Sequence, residues 1–579
     1  MSPRYAISFP SATGRFLLAV LLLAFRLPAA AQTPWQSAMT VAAATATAAD
    51  NYSYVAATAV DGAGNVYLAG AFRNSVVLGG TTLASLGNYD LFVAKFNPAS
   101  NQFVWAQRAG GTGNDVINAL AVSGTSVYVA GHFAGPTAAF GSTTLTNAGA
   151  TNTADGFVAA LTDAGNAGSF AWTQRAGGTG NDVINALAVS GTSVYVAGYF
   201  ASPTAGFGPA TLTSAGPAGT ADGFVAKLTD AGRTGGFVWA QGAGGTDNDY
   251  AAALAVSGAS VFVAGHFQSP TAGFGPATLT NAGFADVFVA KLTDGGATSG
   301  FAWAQRAGGT NEDRAAALAV SGGSVYVAGS FNSATAGFGP VTLTSAGNAD
   351  VFVAKLTDGG ATSGFAWAQR AGGTGSEFPR VLAASGGSVY VAGYFASPTA
   401  GFGPVTLTSA GNADVFVAKL TDEGATGGFA WAQRAGGAGN EGANALALRG
   451  SSVYVAGGFA SLTADFGPVT LANVNPSPNP NPYLGFLASL TDMTLPAATA
   501  AAGPRELGSI YPNPAQRTAT LRLPDGGVPT PLTLTDALGR AARRYAAPAG
   551  AEAFLDLRGL PAGLYLLRGA GATQRLVVE

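Results

Sequence analysis

The seven tryptophans of this 579-residue chain recur at a nearly constant spacing, and that period constrains the fold more than any other feature. They stand 64 to 70 residues apart, at Trp35, Trp105, Trp172, Trp239, Trp303, Trp367 and Trp431. Residues 105–133 and 172–200 differ at only two positions, which are Ala106 against Thr173 and His132 against Tyr199. A period of this length is typical of repeat architectures. The sequence therefore predicts one structural unit present in seven copies.

Each unit is predicted to consist of short strands. Its apolar pieces are rich in Val, Phe, Tyr and Ala and are bounded by Gly, Asn, Asp or Ser, which favours strands over helices. In one copy we expect four main strands and a short extra one, over 301–307, 316–321, 324–331, 350–356 and 341–344. Gly322-Gly323 between two of them predicts a tight hairpin, because glycine accepts a positive φ. Four main strands per unit predict a blade of a β-propeller.

The strand inventory predicts a closed ring. The chain holds seven Trp strands, seven VYVAG-like strands and seven FVAK-like strands, yet the last copy stops at Asp492 without a Trp strand. The strand around Trp35 can complete that copy and leave no free sheet edge. An open solenoid is the alternative, because repeats alone do not establish closure. The sequence thus predicts an all-β chain with a seven-bladed β-propeller over residues 32–493.

The first 31 residues have the order of a secretory signal. Arg4 and Arg15 precede an apolar run at 16–25, and small residues follow at 29–31. We expect cleavage between Ala31 and Gln32. The run is shorter than the roughly 20 residues that a spanning helix needs, so the mature chain is expected to carry no transmembrane anchor. An uncleaved anchor is the alternative, because Arg26 interrupts the approach to the cleavage site.

Composition excludes several classes of chemistry. The chain has no cysteine, which excludes disulfides, thiolate zinc sites and cysteine nucleophiles. A net charge of -3 gives no basic field, so no nucleic-acid partner is expected. No nucleophile elbow, zinc-protease motif or phosphate-binding loop occurs, and no carboxylate pair breaks the repeat as a glycosidase would require. We therefore expect no cofactor and no enzymatic activity.

A calcium-binding nonapeptide, GGxGxDxUx, fits residues 110–118 and 177–185, with Asp115 and Asp182 at its aspartate position. That motif binds calcium through consecutive stacked turns, whereas these copies lie 67 residues apart and later ones decay to GGTNEDRAA and GGTGSEFPR. We favour a loop that leads into the inner strand, with calcium as the alternative. The repeated aspartates of DVFVAK and LTD, such as Asp286 and Asp294, are expected to be turn residues or partners of the repeated Lys and Arg.

One position varies while its surroundings stay nearly constant. In VYVAGxF, x is Ala71, His132, Tyr199, His266, Ser330, Tyr394 and Gly458. A core position should not change volume so widely, so we expect x to face solvent at a strand end. His132, Tyr199, His266 and Tyr394 are then candidate ligand-binding residues, because such rings suit sugars and protein loops. Drift at an unconstrained surface position is the alternative.

Two regions resemble known families. Through RAGGTGND, VYVAGxF and DVFVAKL, residues 33–492 are similar to the bacterial β-propeller repeat labelled SBBP, which implies an exported scaffold with no single activity. After a linker at 494–504, alternating apolar residues separated by Gly and Pro predict a small β-sandwich at 505–579.

The order of motifs in that last segment resembles the C-terminal sorting domain of the type IX secretion system of Gram-negative bacteria. The matching residues are Tyr511, Pro512, Asn513 and Pro514, then Gly539 and Arg540, then Gly563 and Tyr565. The resemblance implies an Ig-like sandwich, the type IX machinery as partner, and release or attachment at the cell surface. A generic sandwich domain is the alternative.

Two functional hypotheses follow. The first is a non-enzymatic surface or secreted protein that binds or adheres to glycans or proteins, with equivalent sites on equivalent blades. The second is an extracellular hydrolase or lyase with a site over the propeller channel. A structural spacer without a ligand is a third reading. A cluster of at least three non-repeated polar residues on one face would argue against binding by repetition.

Overall fold

The computed structural model describes residues 34–41, 43–44, 51–150, 153–473, 483–492, 509–522, 531–536, 540–547, 550, 552–569 and 572–579. The predicted signal and its cleavage site at Ala31 and Gln32, the predicted linker and Gly539 lie outside these residues. Within them the chain is all-β, and its strands pair antiparallel. None of the described residues forms a helix of the length and apolarity that crossing a bilayer requires.

Seven similar units follow one another, each with four antiparallel strands in the order inner, second, third and Trp strand. The inner strands of units 1 to 7 are Tyr52–Val60, Asp115–Ser123, Asp182–Ser190, Asp249–Ser257, Asp313–Ser321, Glu377–Ser385 and Glu441–Arg449. The second strands are Val66–Arg73, Ser126–Phe133, Ser193–Phe200, Ser260–Phe267, Ser324–Phe331, Ser388–Phe395 and Ser452–Phe459. The third strands are Asp90–Asn97, Asp155–Asp163, Asp222–Asp230, Asp286–Asp294, Asp350–Asp358, Asp414–Asp422 and Leu484–Thr491. The Trp strands of units 1 to 6 are Gln102–Gly111, Gly168–Gly178, Gly235–Ala243, Ser299–Ala307, Ser363–Gly373 and Gly427–Gly437.

Each unit also carries a short hairpin of two four-residue strands, of which the sequence predicted only the second. The first strands are Ser75–Leu78, Thr137–Phe140, Thr204–Phe207, Thr271–Phe274, Thr335–Phe338, Thr399–Phe402 and Thr463–Phe466. Their partners are Thr81–Ala84, Thr143–Thr146, Ala210–Thr213, Ala277–Thr280, Val341–Thr344, Val405–Thr408 and Val469–Ala472. Ala43–Ala44 pairs with the first of these hairpins.

The N-terminal strand Trp35–Val41 completes the seventh unit, as the sequence predicted. It pairs antiparallel with Leu484–Thr491, which puts it at the Trp-strand position. The register of its tryptophan, however, differs from the prediction. Trp35 lies opposite Leu490, the place that Phe429 takes in unit 6, and Ser37 takes the place of the tryptophan.

The core lies between neighbouring units rather than within them. Seven buried apolar clusters each combine residues of two consecutive units, and one of them joins Val55 of unit 1 to Ala456 of unit 7. Each inner strand contacts the next in chain order, and Glu441–Arg449 contacts Tyr52–Val60. Because the second and third strands are covered on both faces, they read as continuous apolar runs.

A buried polar contact joins most neighbouring units. In unit 1, Lys95 Nζ, Tyr67 Oη and Trp105 Nε1 donate to the carboxylate of Asp163 in unit 2, at 2.6, 2.5 and 3.0 Å. We call this arrangement the clasp. The aspartate that ends LTD accepts hydrogen bonds from at least two of these three kinds of donor at Asp163, Asp230, Asp294, Asp358, Asp422 and Asp492. The expected pairing of the repeated Lys and Asp is therefore confirmed, and Arg306 with Asp286 shows the same for Arg.

Two local details complete the fold. Gly322 and Gly323 have φ values of 58° and 80°, so the predicted two-glycine hairpin is present. The C-terminal region forms a three-stranded and a four-stranded sheet around one buried cluster that includes Leu521, Leu534 and Leu567. Its strands are Ser509–Tyr511, Thr518–Arg522, Leu532–Asp536, Ala541–Tyr545, Glu552–Asp556, Gly563–Gly569 and Ala572–Val578.

Candidate ligand-binding site

Every inner strand contains a β-bulge at the same place, and the extra residue has no partner in the ladder. The seven bulged residues are Ala56, Asn118, Asn185, Ala252, Ala316, Arg380 and Asn444. All seven line one open depression of about 200 Å³, to which residues of all seven inner strands contribute. We call these seven residues the collar. A bulge re-aims its side chain, so the collar is a place where one residue can change without disturbing strand pairing.

The conserved glycine of each VYVAGxF strand is explained by the bulge. A Cβ on Gly131 would lie 1.9 Å from the carbonyl oxygen of Val116 on the neighbouring inner strand, and Gly393 meets Phe378 at 2.1 Å. The backbones approach too closely there for any side chain.

Most of the collar is neutral. The amide nitrogens of Asn118, Asn185 and Asn444 donate to backbone carbonyls of the next inner strand, at 2.8 to 3.0 Å. Ala56, Ala252 and Ala316 are small and apolar. Arg380 is therefore the one charged member of the collar, and its side chain is exposed.

A wider depression of about 620 Å³ adjoins the collar on the side of units 4 to 6. We call it the mouth. Its lining includes His266, Ser330, Glu312, Arg314, Asn332, Phe378, Arg380 and Tyr394. Glu312, Arg314, Asn332 and Arg380 are not repeated in the other units, so the mouth is the cluster of non-repeated polar residues that argues against binding by repetition.

Aromatic rings line the mouth in unit 6, and a second aromatic pair lies in unit 4. The Phe378 and Tyr394 rings have centroids 5.4 Å apart, and the Arg380 guanidinium carbon lies 5.4 Å from the Tyr394 centroid. Tyr250 stacks on His266 at 5.0 Å with an interplanar angle of 25°. Tyr394 and Tyr250 are half-buried, so part of each ring contacts solvent.

The mouth contains two arginines and one glutamate, so one positive charge is left without a carboxylate partner among the lining residues. Arg314 forms an ion pair with Glu312, whereas Arg380 makes no ion pair with any described residue. His266 is neutral, because burial and the nearby Arg314 lower its pKa to about 3. Its Nδ1 is buried and has no hydrogen-bond partner among the described residues. The mouth therefore offers one exposed cation that makes no ion pair with a described residue, Arg380, whereas the unsatisfied nitrogen of His266 is covered.

The structure brings together only part of the predicted ligand-binding set. His266 and Tyr394 line the mouth. Tyr199 is not among the lining residues, but its ring contacts Tyr250, which stacks on His266; the Tyr199 and Tyr250 centroids are 4.8 Å apart. His132 lies outside the lining in unit 2, and burial lowers its pKa to about 4.

The expectation that the variable position faces solvent is wrong for four of its seven residues and holds in part for the other three. Ala71, His266, Ser330 and Gly458 are buried, and the remaining three members are half-buried. Each pairs with an inner-strand residue that varies as well, such as Tyr250 opposite His266 and Phe378 opposite Tyr394. The two paired residues both differ from unit to unit, and an open depression adjoins them. The volume of the side chain at the variable position can therefore differ between units even where that side chain is buried.

Sequence reasoning missed Glu312, Arg314, Phe378 and Arg380. The signal was present, since these residues lie in GGTNEDRAA and GGTGSEFPR, which were interpreted only as decayed calcium motifs. What those segments keep is a carboxylate at the first position of the inner strand, Asp313 and Glu377. What they change is the residues beside it, and those residues line the mouth.

Asp115 and Asp182, the calcium alternative, have hydrogen-bonding roles in their loops. Asp115 Oδ2 accepts a hydrogen bond from the backbone N–H of Gly111 at 2.6 Å. Asp182 Oδ2 accepts one from the backbone N–H of Gly178 and one from the Ser202 hydroxyl, both at 2.6 Å. Burial, with a smaller contribution from Asp90, raises the pKa of Asp115 to about 7. In the described part of the chain, no three His, Cys, Asp or Glu residues come close enough together to hold a metal ion.

The sorting-motif residues stabilise the C-terminal region locally. Asn513 donates to the carbonyl of Arg575 and accepts the N–H of Val577, both at 2.9 Å, which ties the first motif to the last strand. Arg540 pairs with Asp536 across a turn at 2.8 Å. Tyr565 is buried and donates to the Pro561 carbonyl at 2.8 Å. Gly563 begins the strand that carries Tyr565.

Tyr511 is an exposed aromatic residue of this set, whereas Tyr565 is buried. Its hydroxyl donates to Glu552 at 3.0 Å, while 47% of the residue surface stays accessible. The Tyr511-Pro512 and Asn513-Pro514 peptide bonds beside it are both cis.

Comparison with known proteins assigns the C-terminal region. Residues 509–579 match the family model described as a secretion system C-terminal sorting domain. No curated protein matches the chain. Among solved structures, the chain is similar to a protein of unknown function from Dyadobacter fermentans DSM 18053, at 11% identity and a TM-score of 0.34, over 80% of this chain and 100% of that one. The sorting domain implies that this is a secreted or surface-attached protein exported with the type IX secretion machinery.

Proposed function

We propose that the repeat region is a seven-bladed β-propeller of the SBBP type and that its mouth binds saccharides outside the cell, as part of a non-enzymatic binding or adhesion protein. Support for the ring comes from the seven clusters between units, including the cluster that joins the seventh unit to the first. The pairing of Trp35–Val41 with the last third strand supports closure in the same way.

The mouth carries the binding proposal. Its volume of about 620 Å³ falls in the range of small-molecule sites, roughly 300–1,000 Å³. Half-buried aromatic rings such as Tyr394 offer a flat apolar face, and Arg380, Asn332 and His266 add polar atoms around it. Pyranose rings have the matching pattern, with C–H groups on a face and hydroxyls at the edge. A concave site of this size suits a short oligosaccharide better than a flat protein surface.

Binding by equivalent sites on every blade is less well supported. The residues that form the mouth belong mainly to units 4 to 6, and the corresponding collar residues elsewhere are Ala or Asn. One site per chain follows from this asymmetry. Avidity would then require several copies of the protein rather than several blades.

The hydrolase or lyase hypothesis draws on the same asymmetry, because a catalytic site also needs unique residues. Among the residues that line the mouth, Glu312 is the one carboxylate, and Arg314 pairs with it. Glycoside hydrolysis generally uses two carboxyl groups in different environments. We therefore favour binding without turnover.

A glycan array with the purified full chain tests the proposal. We expect binding to a restricted set of saccharides and loss of that binding in Phe378→Ala/Tyr394→Ala, because the apolar wall is removed. Phe554→Ala is the matched control, since Phe554 is an exposed aromatic residue of the C-terminal region. Thermal unfolding checks that each variant is folded. Absence of any bound saccharide, or full binding by the double variant, would show the proposal to be wrong.

A further inference from the structure

Arg380 is unlike every residue at the same place in the other units. It is the bulged residue of its inner strand, and its counterparts are three alanines and three asparagines. The side-chain amide of each asparagine donates a hydrogen bond to a backbone carbonyl of the next inner strand. Arg380, in contrast, is exposed and forms no ion pair with a described residue. Nothing in the strand pairing requires an arginine there, because the bulge is also formed by Ala316.

The surroundings of Arg380 leave its positive charge uncompensated. Glu377, three residues before Arg380, and Glu441, its counterpart in unit 7, are buried and accept backbone N–H groups of Gly373 and Gly437 at 2.8 and 2.7 Å. Glu312 is engaged by Arg314. The Tyr394 ring lies beside the guanidinium, and such a contact orients the group while its N–H donors remain available at the edge.

From this geometry we propose that the saccharide bound in the mouth carries a carboxylate, and that Arg380 binds that carboxylate. The inference rests on the saccharide-binding function proposed above. A guanidinium presents two parallel N–H donors that match the two oxygens of a carboxylate, which makes the contact specific as well as strong. The single unpaired positive charge balances one acid group, as on a uronic or sialic acid residue. Phe378 and Tyr394 contact the sugar ring, and Asn332 offers a polar side chain beside it.

The position of Arg380 explains why an acidic terminus is favoured over an internal residue of a long chain. Arg380 lines both the depression of about 200 Å³ at the collar and the mouth, which is three times larger. A saccharide that points its carboxylate toward the collar therefore has room for its remaining residues only in the mouth. Arg380 is in this sense the residue that determines specificity.

Titration calorimetry with the full chain tests the inference on three pairs of probes. The acidic members are trigalacturonic acid, a glucuronic-acid-terminated disaccharide and sialyllactose, and the neutral members are the two methyl esters and lactose. We expect wild type to bind at least one acid about ten- to a hundred-fold more tightly than its neutral partner. Arg380→Gln should lose that preference and keep the affinity for the neutral member. Arg233→Gln, which changes an exposed arginine in a turn of unit 3, should behave as wild type.

The outcomes separate this inference from the proposed function. Equal binding of acids and neutral partners, or an undiminished preference in Arg380→Gln, overturns the carboxylate inference and leaves saccharide binding standing. Failure of every saccharide on the array and in calorimetry overturns both. Conversion of trigalacturonic acid to an ultraviolet-absorbing unsaturated product would identify a lyase and contradict binding without turnover.

Discussion

Replacing Asp163 by Asn removes the charge of one clasp while it keeps the shape of the side chain. In the native protein, Asp163 accepts hydrogen bonds from Lys95, Tyr67 and Trp105, and both members of the ion pair are buried, with 8% of each side chain accessible. Burial alone would raise the pKa of Asp163, and the three donors outweigh it, so the pKa is lowered. After the substitution, the ammonium of Lys95 is buried without a counter-charge.

The chain contains its own control for this experiment. In unit 2, Ala160 stands where the other clasps have lysine, so Asp230 receives Tyr128 and Trp172 but no ammonium group. Breaking a buried ion pair generally costs about 3–5 kcal/mol, whereas weakening hydrogen bonds to a remaining acceptor costs about 1 kcal/mol. We therefore expect Asp163→Asn to lower the free energy of unfolding by about 2–4 kcal/mol more than Asp230→Asn does.

Urea unfolding followed by tryptophan fluorescence and by circular dichroism measures both losses. The double variant Lys95→Met/Asp163→Asn should recover most of the loss, because no buried charge is left unpaired. Equal destabilisation by Asp163→Asn and Asp230→Asn would refute the reasoning, since the lysine would then contribute nothing to the clasp.

Two further changes test other parts of the fold. Burial raises the pKa of Asp115 from 3.8 to about 7, so the native state holds a proton that the unfolded chain releases. Its contribution to stability is complete below about pH 4 and falls by up to about 4 kcal/mol as the pH rises through 7; Asp115→Asn should flatten this part of the pH profile in urea unfolding, and an unchanged slope would contradict the assignment. Deletion of residues 33–44 removes Trp35–Val41 and exposes the edge of Leu484–Thr491, so the melting temperature should fall sharply by calorimetry; an unchanged melting curve would show that the N-terminal strand does not close the ring.

The sequence predicted the strand content well, because particular residue types recur at the repeat period and mark where each strand begins and ends. Val, Phe and Tyr mark the strands, and the two glycines at 322 and 323 mark a hairpin that has the required positive φ values. The register of the seventh Trp strand could not be read in the same way. A shift between Trp35 and Ser37 moves the tryptophan to a place that phenylalanine occupies elsewhere, and spacing along the chain does not reveal such shifts.

That shift has a consequence for the interface between the seventh and first units. Ser37 and Ser489 take the places of Trp and Lys, and their hydroxyls bond to each other at 2.7 Å. Pro98 follows the third strand of unit 1 where the other units have the aspartate of LTD. A cavity of about 490 Å³ lies here, lined among others by Met39, Pro98 and Tyr454. The interface that joins the two ends of the repeat therefore lacks the clasp and is held by packing and by hydrogen bonds such as those from Asn444 to the Val55 carbonyl and from the Gly485 N–H to Ser53.

The mouth escaped sequence analysis for a physical reason. A bulge is a property of two paired strands, and a single strand shows only an apolar run into which Arg380 or Asn118 fits equally well. The variable position of VYVAGxF does lie in this region, since His266, Ser330 and Tyr394 line the mouth. Its side chains are less exposed to solvent than the sequence predicted. The inner strand of each unit pairs with the strand that carries the variable position, and the residues opposite that position include Arg314 and Phe378.

Duplication and a single site are compatible in this fold because different positions carry them. The clasp and the clusters between units use residues that close packing fixes, so nearly identical units remain nearly identical there. The bulged residue packs against no strand partner, so a change from Ala or Asn to Arg at 380 alters charge without altering the ladder. A series of almost equivalent units can in this way acquire one distinct cluster of polar side chains, which is the site that we propose, while the contacts between units stay the same.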